Sequence, residues 1–234
     1  MHNIKAEITG VFSSIQGEGI FLGARQIFVR FRDCNLRCSY CDEPRDAASK
    51  EYTAPELMSE VKFLELSKGP HHSVSVTGGE PLLYSEFLKA FLPYLRKNGI
   101  KAYLETNGTL PDELAKVIDW VDIVAMDFKL PSSTGERPFW REHSEFLKIA
   151  ARKKVFVKAV VTPATAKEDI EKAVALVKKA GGKIPLVLQP ATPVKKEDGP
   201  VNKDALLRFL EIGLKHDLDN IRVIPQIHKI LDVK

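Results

Sequence analysis

Six short apolar runs alternate with helical patterns along this chain, and the alternation limits its fold more than any other feature. The runs are predicted to be strands at residues 27–31, 74–77, 102–105, 123–127, 155–161 and 186–189. Strands that alternate with helices form a parallel sheet with right-handed crossovers. Six units are too few for a closed eight-stranded barrel. The sequence therefore predicts an α/β fold, a partial, open (β/α)6 barrel in one domain over residues 1–234.

The helices between these strands have recognisable starts, stops and apolar stripes. Capping boxes are predicted at Thr53 with Glu56 and at Thr165 with Glu168. A glycine pair at 181–182 is predicted to end the helix that follows the second box. Residues at helical spacing are expected to face the core. Three such stripes are Leu88, Phe91, Leu92 and Leu95; Ile170, Ala173, Val174 and Val177; and Leu206, Phe209, Leu210 and Leu214.

Composition excludes several classes of protein. Hydrophobic residues make up 44% of the 234 and charged residues 28%, as in an ordinary globular domain. No apolar run approaches the roughly 20 residues of a membrane span, and the first residues lack the pattern of a secretory signal. The net charge of +4 comes from interspersed Lys and Arg, which favours a solvated surface over nucleic-acid binding. We expect a cytoplasmic protein that binds neither membrane nor nucleic acid.

Polar or glycine-containing segments follow every predicted strand. In parallel barrels the catalytic residues gather at the carboxyl ends of the strands, so these segments are expected to form one site. In chain order they are Cys34 to Cys41, Gly78-Gly79-Glu80-Pro81, Thr106-Asn107-Gly108, Asp127-Phe128-Lys129, Thr162-Pro163 and Gln189-Pro190.

The only three cysteines of the chain, Cys34, Cys38 and Cys41, form a Cys-x3-Cys-x2-Cys run. Three thiolates on one loop can meet at one metal centre but leave it one ligand short, because iron-sulfur cubes and structural zinc both take four. The spacing is unusual for zinc. A zinc site completed by a distant His, or reduced structural thiols, stay open as alternatives. A cube with one open iron could instead bind the amino and carboxylate groups of S-adenosylmethionine.

This spacing, with Tyr40 before the third cysteine, resembles the signature of the radical S-adenosylmethionine superfamily. The resemblance implies a 4Fe-4S cluster on the three cysteines and cleavage of S-adenosylmethionine to a 5'-deoxyadenosyl radical. From the residues alone, the glycine pair indicates a close backbone approach or a plain turn, and Asp127 with Lys129 a binding pair or a surface ion pair. The S-adenosylmethionine contacts expected in this chain are Tyr40, Asp42, Gly78, Gly79, Glu80, Asn107, Asp127, Lys129 and Gln189.

Motifs along nearly the whole chain resemble one family, the 7-carboxy-7-deazaguanine synthases of the queuosine and archaeosine pathways. The resemblance implies a radical ring contraction of 6-carboxy-5,6,7,8-tetrahydropterin to 7-carboxy-7-deazaguanine, with loss of ammonia and catalytic use of S-adenosylmethionine. The motifs beyond the cysteine run are Gln16-Gly17-Glu18-Gly19, Phe28-Val29-Arg30-Phe31, Thr77-Gly78-Gly79-Glu80-Pro81-Leu82, Glu105-Thr106-Asn107-Gly108-Thr109, Leu188-Gln189-Pro190 and Gln226-Ile227-His228-Lys229.

Two alternatives to this function stay open. Asp127-Phe128-Lys129 stands where the family more often has Ser-Pro-Lys, and this version resembles the activases of glycyl-radical enzymes. Another radical S-adenosylmethionine enzyme of that kind is therefore the second hypothesis. The third is a non-catalytic iron-sulfur or zinc protein that carries electrons or binds nucleic acid.

The family resemblance also implies where the substrate and a magnesium ion bind. An N-terminal loop at 13–25 and a C-terminal tail at 222–234 would contact the substrate, beside the cluster loop at 34–41. Glu43 replaces the Thr or Ser that usually binds Mg²⁺, so it is expected to bind the ion or to replace it through a salt bridge. A flavodoxin or ferredoxin as electron donor and a homodimer are implied as well. The expected substrate contacts are Ile15, Gln16, Gly17, Glu18, Arg30, Thr77, Glu105, His228 and Lys234 with its terminal carboxylate.

Overall fold

The computed structural model describes residues 4–44, 46–193 and 199–233, and the substrate contact predicted at Lys234 lies outside them. Within this part of the chain, strands and helices alternate as the sequence predicts. The strands are β1 (Lys5–Ile15), β2 (Arg25–Phe31), β3 (Lys50–Thr53), β4 (Ser73–Gly78), β5 (Ala102–Thr106), β6 (Ile123–Asp127), β7 (Lys154–Val161), β8 (Leu186–Pro190) and β9 (Ile221–Val223). The helices are α1 (Ala54–Lys68), α2 (Ser85–Lys97), α3 (Pro111–Val117), α4 (Pro131–Thr134), α5 (Trp140–Ala150), α6 (Lys167–Lys179), α7 (Lys203–Lys215) and α8 (Ile227–Leu231).

All nine strands form one open sheet in the order β3-β1-β2-β4-β5-β6-β7-β8-β9. Neighbours from β2 to β9 are parallel, while β1 pairs antiparallel with β2 and β3. The six predicted strands are β2 and β4 to β8, so the partial, open (β/α)6 barrel is confirmed. Strands β1, β3 and β9 extend it at its two edges.

The predicted N-terminal loop at 13–25 is shorter in the structure. Residues 13–15 continue β1 and pair with residues 25–27 of β2. The connection is therefore 16–24, with a single 3-10 turn at Gly19–Phe21. The predicted tail at 222–234 likewise begins inside β9 and contains α8. Both segments are thus attached to the sheet by backbone pairing at their start.

The core lies between the sheet and its helices and confirms two of the three predicted stripes, those of α2 and α6. The stripe on α7 is only partly buried. Phe209 is buried, but Leu214 is 54% exposed, so the prediction that it faces the core is wrong. A Cβ added to Gly213 would lie 2.5 Å from the Ile221 side chain. The glycine, rather than Leu214, therefore faces the short edge strand β9.

One of the two predicted capping boxes forms. Glu56 Oε2 accepts from Thr53 N at 2.8 Å and from Thr53 Oγ1 at 2.7 Å. The box at Thr165 is wrong, because α6 starts only at Lys167. Thr165 Oγ1 accepts from the backbone N of Thr162 at 2.7 Å, so this hydroxyl stabilises the loop before the helix.

The inner face of the sheet carries a separate apolar cluster below the carboxyl ends of the strands. It includes Tyr103, Ala125 and Phe156, and Ile20 and Phe21 of the 16–24 connection pack against it. These two side chains attach the connection to the sheet, and its polar residues Gln16 and Glu18 lie at the end of the barrel where the strands have their carboxyl ends. No helix in the part of the chain that the structure describes is long and apolar enough to cross a membrane.

Candidate active site

A cleft of about 510 Å³ opens at the carboxyl ends of the strands. It brings together nearly all the residues that the sequence predicts for the cluster, the cofactor and the substrate. The side chain of Glu80 does not line it. The predicted residues that do are Ile15, Gln16, Gly17, Glu18, Arg30, Cys34, Cys38, Tyr40, Cys41, Asp42, Glu43, Thr77, Gly78, Gly79, Glu105, Asn107, Asp127, Lys129, Gln189 and His228.

The glycine pair after β4 packs against the backbone that leads into the cysteine loop. Gly78 has φ +115°, and a Cβ there would lie 2.2 Å from the carbonyl oxygen of Phe31. A Cβ on Gly79 would lie 2.1 Å from that of Asp33. The glycines thus allow a close approach between two backbones, which fixes where the loop begins. They also line the cleft, so the plain-turn alternative does not describe them.

Glu80 is completely buried and positions its neighbours. Its carboxylate accepts from Thr106 Oγ1 at 2.9 Å, from the backbone N of Asn107 at 2.7 Å and from that of Leu82 at 3.0 Å. Burial outweighs these hydrogen bonds and raises the pKa of Glu80 to about 7. This side chain therefore supports the segment after β5, and the contact of Glu80 with S-adenosylmethionine stays a prediction.

The cysteine loop is held from two sides by side-chain hydrogen bonds. Asn107 Nδ2 donates to Asn35 Oδ1 at 2.8 Å, and Asn35 Nδ2 donates to Thr109 Oγ1 at 2.9 Å. On the other side, Ser39 N and Oγ each donate at 2.9 Å to backbone carbonyls of α4. These contacts fix a loop that has no regular secondary structure of its own.

The three cysteines line the cleft together. Burial raises the pKa of Cys38 to about 11. Among the described residues, no three His, Cys, Asp or Glu side chains are placed to hold one metal ion. An iron-sulfur cube binds each thiolate to a different iron, and three thiols around one cleft suit it.

Asp127 and Lys129 form a buried pair beside Tyr40, and the surface alternative is wrong. Lys129 Nζ lies 2.9 Å from Asp127 Oδ2, with side chains only 14% and 11% exposed, and 3.5 Å from the Tyr40 hydroxyl. Burial alone would lower the pKa of Lys129, but Asp127 and its other neighbours hold it well above its ordinary value. Asp127 Oδ1 and Gln189 Oε1 are buried without a partner. Such acceptors suit the amino and hydroxyl groups of a bound cofactor.

Gln16 positions the connection rather than presenting a free amide. Its Nε2 donates to Gln26 Oε1 and to Glu105 Oε1, both at 2.9 Å, and its Oε1 accepts from Glu18 N at 3.0 Å. Glu105 also accepts from the hydroxyl of Thr77 at 3.2 Å. These bonds align Glu105 and Glu18 toward the cleft.

Arg30 and Glu43 pair with each other inside the cleft, at 2.8 Å between Nη1 and Oε1. Burial raises the pKa of Glu43, while Arg30 opposes the rise. Glu43, which is predicted to bind Mg²⁺, thus forms an ion pair with Arg30, which is predicted to bind the substrate carboxylate. At the rim, Asp42 pairs with Lys229 of α8 at 2.8 Å, so the C-terminal helix contacts the cysteine loop.

Lys158 is a cleft residue that the sequence predictions missed. It lies in the middle of β7, and its ammonium donates to Glu18 Oε2. Burial alone would raise the pKa of Glu18, but Lys158, Gln226 and His228 together hold it to about 2. A lysine inside the apolar run 155–161 was the available signal, because buried parallel strands are otherwise almost continuously apolar.

His143 of α5 is a second residue that the predictions missed. It is fully buried, and its Nε2 lies 3.2 Å from the carbonyl oxygen of Asn107. The backbone N of Lys129 lies 3.5 Å from the same nitrogen, so Nε2 donates to the Asn107 carbonyl in one tautomer of the neutral ring and accepts from Lys129 in the other. Burial lowers the pKa of His143 to about 4. The neutral ring therefore supports the segment after β5 from the side opposite the cleft.

Comparison with known proteins identifies the family to which this chain belongs. The model of the Radical SAM superfamily matches residues 28–190. The chain is 36% identical to the 7-carboxy-7-deazaguanine synthase of Geobacter sulfurreducens over 97% of both chains. It is 35% identical to that of Methanothermobacter thermautotrophicus over 99% of both.

A solved structure supports the fold independently. The crystal structure of QueE from Escherichia coli superposes with a TM-score of 0.65 at 20% identity and covers 96% of this chain and 95% of that one. Together with the three-cysteine loop and the cleft that it lines, these relatives show that the chain belongs to the 7-carboxy-7-deazaguanine synthase family of the radical S-adenosylmethionine superfamily.

Proposed function

We propose that this protein converts 6-carboxy-5,6,7,8-tetrahydropterin into 7-carboxy-7-deazaguanine with loss of ammonia. The observation that carries the proposal is that one cleft is lined both by the three-cysteine loop and by polar residues of the 16–24 connection and α8. A cluster and its cofactor on one wall would face a small polar substrate on the other. Hydrogen abstraction between two bound molecules needs both to be held in one site.

On the cofactor side, Cys34, Cys38 and Cys41 would hold the cluster. Lys129 would bind the methionyl carboxylate, and the unpartnered acceptors of Asp127 and Gln189 would take N–H or O–H groups. The cluster and S-adenosylmethionine would together supply the radical chemistry that removes a hydrogen from C6 of the pterin. The protein orients the reacting atoms and excludes water from them.

On the substrate side, Arg30 would bind the carboxylate through a charge-assisted hydrogen bond. Glu18 and Glu105 are carboxylates at the cleft that can accept from the amino and ring N–H groups of a pterin. His228 and the terminal carboxylate at Lys234 are further proposed contacts. Gln16 and Thr77 would act by holding Glu105, since both donate to it.

A magnesium ion is proposed between Glu43 and the substrate carboxylate. Magnesium is commonly held by one or two carboxylates with substrate and water oxygens. Glu43 fits this role only after it leaves Arg30, which would then bind the substrate. The ion and the substrate would therefore replace one ion pair with two new contacts.

The proposal also covers partners and compartment. Cys34 and Cys41 are exposed, so a small electron-transfer protein such as flavodoxin or ferredoxin could approach the cluster. A reducing compartment, the cytoplasm, would keep the thiols available. We propose a homodimer, for which the exposed Phe63 and Leu66 of α1 offer an apolar surface.

An anaerobic assay tests this function. Cluster-loaded protein with S-adenosylmethionine, reductant, Mg²⁺ and the carboxylated pterin is expected to form the carboxydeazaguanine chromophore, and Cys38→Ala is expected to abolish both product and 5'-deoxyadenosine. Cofactor cleavage without pterin turnover would favour another radical enzyme, such as an activase. Turnover by Cys38→Ala would contradict the cluster assignment.

A further inference from the structure

Four buried charges of alternating sign connect the substrate wall of the cleft to the cofactor wall. We name them the charge chain: Glu18, Lys158, Asp127 and Lys129. Lys158 donates to Glu18 and lies 3.6 Å from Asp127 Oδ2, and Lys129 lies 2.9 Å from the same oxygen. The four side chains are between 11% and 18% exposed.

Lys158 is the one member of the charge chain that contacts both carboxylates. Its contacts with oppositely charged groups are with Glu18, from the 16–24 connection, and Asp127, from the end of β6. Buried charges stay paired because an unpaired one costs several kcal/mol. Any ligand that draws one of these carboxylates away from Lys158 therefore shifts the ammonium toward the other.

We propose that Lys158 is a positioning residue that couples substrate binding to S-adenosylmethionine binding, an inference that rests on the proposed function. A pterin that donates N–H groups to Glu18 competes with Lys158 and releases it toward Asp127. Asp127 then holds Lys129 less tightly, because both ammonium groups contact its Oδ2 and its Oδ1 is assigned to the cofactor. Lys129 becomes available to the methionyl carboxylate, so each ligand strengthens the binding of the other.

Equilibrium binding measures this coupling without turnover. Calorimetry on cluster-loaded protein, kept anaerobic and without reductant, gives the Kd of S-adenosylmethionine with and without saturating carboxylated pterin. The cofactor is expected to bind more tightly with the pterin present, by a factor of roughly 5 to 150, the usual range of coupling between sites. The pterin must gain the same factor from the cofactor, because coupling is reciprocal.

Variants separate this role from a structural one. Lys158→Met is expected to reduce the coupling factor to about one, as expected for two uncoupled sites. Lys158→Arg, which keeps the charge, is expected to restore part of it. Lys154→Met is the control, because Lys154 lies on the same strand and face but is exposed and 4.7 Å above the Phe21 ring. It is expected to keep the coupling of the unaltered protein.

Loss of the ammonium could also unfold the protein by leaving two carboxylates unpaired. The double variant Glu18→Gln with Lys158→Met removes one charge of each sign, and it is expected to fold and to lack coupling. Coupling retained in folded Lys158→Met or in the double variant would overturn the inference, as would its loss in Lys154→Met. If the unaltered protein binds both ligands without coupling, the inference about Lys158 is wrong, but the proposed function is not affected. Failure to bind the pterin would overturn the proposed function as well.

Discussion

Arg30 and Glu43 form an ion pair inside the cleft, so a substrate carboxylate must compete with Glu43 for the guanidinium. Glu43→Gln removes the competing charge and keeps the shape. Without Mg²⁺ the variant is expected to bind the carboxylated pterin more tightly, by about 1 kcal/mol or roughly fivefold in Kd, since the pair is about one-third exposed. Calorimetry measures the change.

The surface pair of Arg152 and Asp119 supplies the matched control, with 2.8 Å between its charged atoms. Asp119→Asn breaks an arginine–carboxylate pair whose residues do not line the cleft, and it is expected to leave the Kd unchanged. With Mg²⁺ present, the unaltered protein is expected to gain affinity and Glu43→Gln to gain none. An equal gain in both proteins would show that Glu43 does not bind the ion.

His143 predicts a pH dependence of stability. Its pKa is about 4 in the folded protein and about 6.5 when unfolded, so the unfolded chain binds more protons between these values. Stability from this residue is therefore complete above about pH 6.5 and is lost as pH falls toward 4, by about 3 kcal/mol. Thermal unfolding across this range, followed by circular dichroism, measures the loss.

Two variants assign that loss to His143. His143→Gln keeps a donor for the Asn107 carbonyl but has no charge to gain, so its stability is expected to fall less steeply with acid. His216→Gln, at an exposed position after α7, is expected to behave like the unaltered protein. Equal slopes for His143→Gln and the unaltered protein would contradict the assignment.

Single residues also show what sequence motifs can and cannot predict. The cysteines and Lys129 were predictable because chemistry restricts which residue types suit their positions, whereas Arg30 was predictable only from the family resemblance. Glu80 belongs to the same motif as its glycines, yet it turns away from the cleft to bind Asn107. The orientation of such a side chain depends on how adjacent loops pack, so it cannot be predicted from the spacing of motif residues or from composition.

At the scale of elements, the 16–24 connection and α8 form one wall of the cleft together. The backbone N of Ile227 donates to the carbonyl of Gly17 at 2.9 Å, and a Cβ on Gly17 would lie 2.1 Å from Nδ1 of His228. Gly17→Ala is therefore expected to displace α8 and to weaken pterin binding at least tenfold. The melting temperature should change little, since α8 contains no buried residue.

Gly10→Ala is the control for that variant, because a Cβ there would lie at an ordinary 3.4 Å from the Phe12 ring. It is expected to leave pterin binding intact. Unchanged pterin affinity in Gly17→Ala would show that α8 is not part of the binding wall. A large loss of stability would show instead that the 16–24 connection is needed for folding.

The elements that the sequence did not predict are those at the edges of the sheet. The central strands were predictable because burial on both faces makes them apolar. Most of β1 is only partly buried and contains Thr9, Gly10, Ser13 and Ser14, so it lacks both an apolar run and a clean alternation. Strands β3 and β9 have only four and three residues. Their pairing comes from neighbouring strands rather than from local propensity.

At the scale of the whole molecule, the open barrel brings distant parts of the chain to one cleft. Gln226 donates to Glu18 at 2.8 Å across 208 positions of sequence, and Lys229 pairs with Asp42 of the cysteine loop. The convergence at the strand ends was predictable from parallel topology. The sequence did not predict which terminal segments meet there, because their positions depend on how the strands pair at the two edges of the sheet.

Cluster loading should therefore stabilise the whole fold, because the cysteine loop is hydrogen-bonded to the segment after β5 and to α4, and Asp42 directly after it pairs with α8, but the loop has no regular structure of its own. A group that binds only the folded state adds about 2.7 to 4 kcal/mol at 100 to 1,000 times its Kd. At about 2 to 4 °C per kcal/mol for a chain of this size, the loaded protein should melt roughly 5 to 15 °C above the cluster-free protein. Anaerobic thermal unfolding measures the difference.

Cys38→Ala is expected to abolish that increment. Ser39→Ala keeps all three thiols and removes only the side-chain bond to α4, so it should lower both melting temperatures and preserve their difference. An increment that survives in Cys38→Ala would mean that the added iron and sulfide bind elsewhere on the chain. An increment lost in Ser39→Ala would mean that the attachment of the loop to α4, as well as its thiols, is needed to hold the cluster.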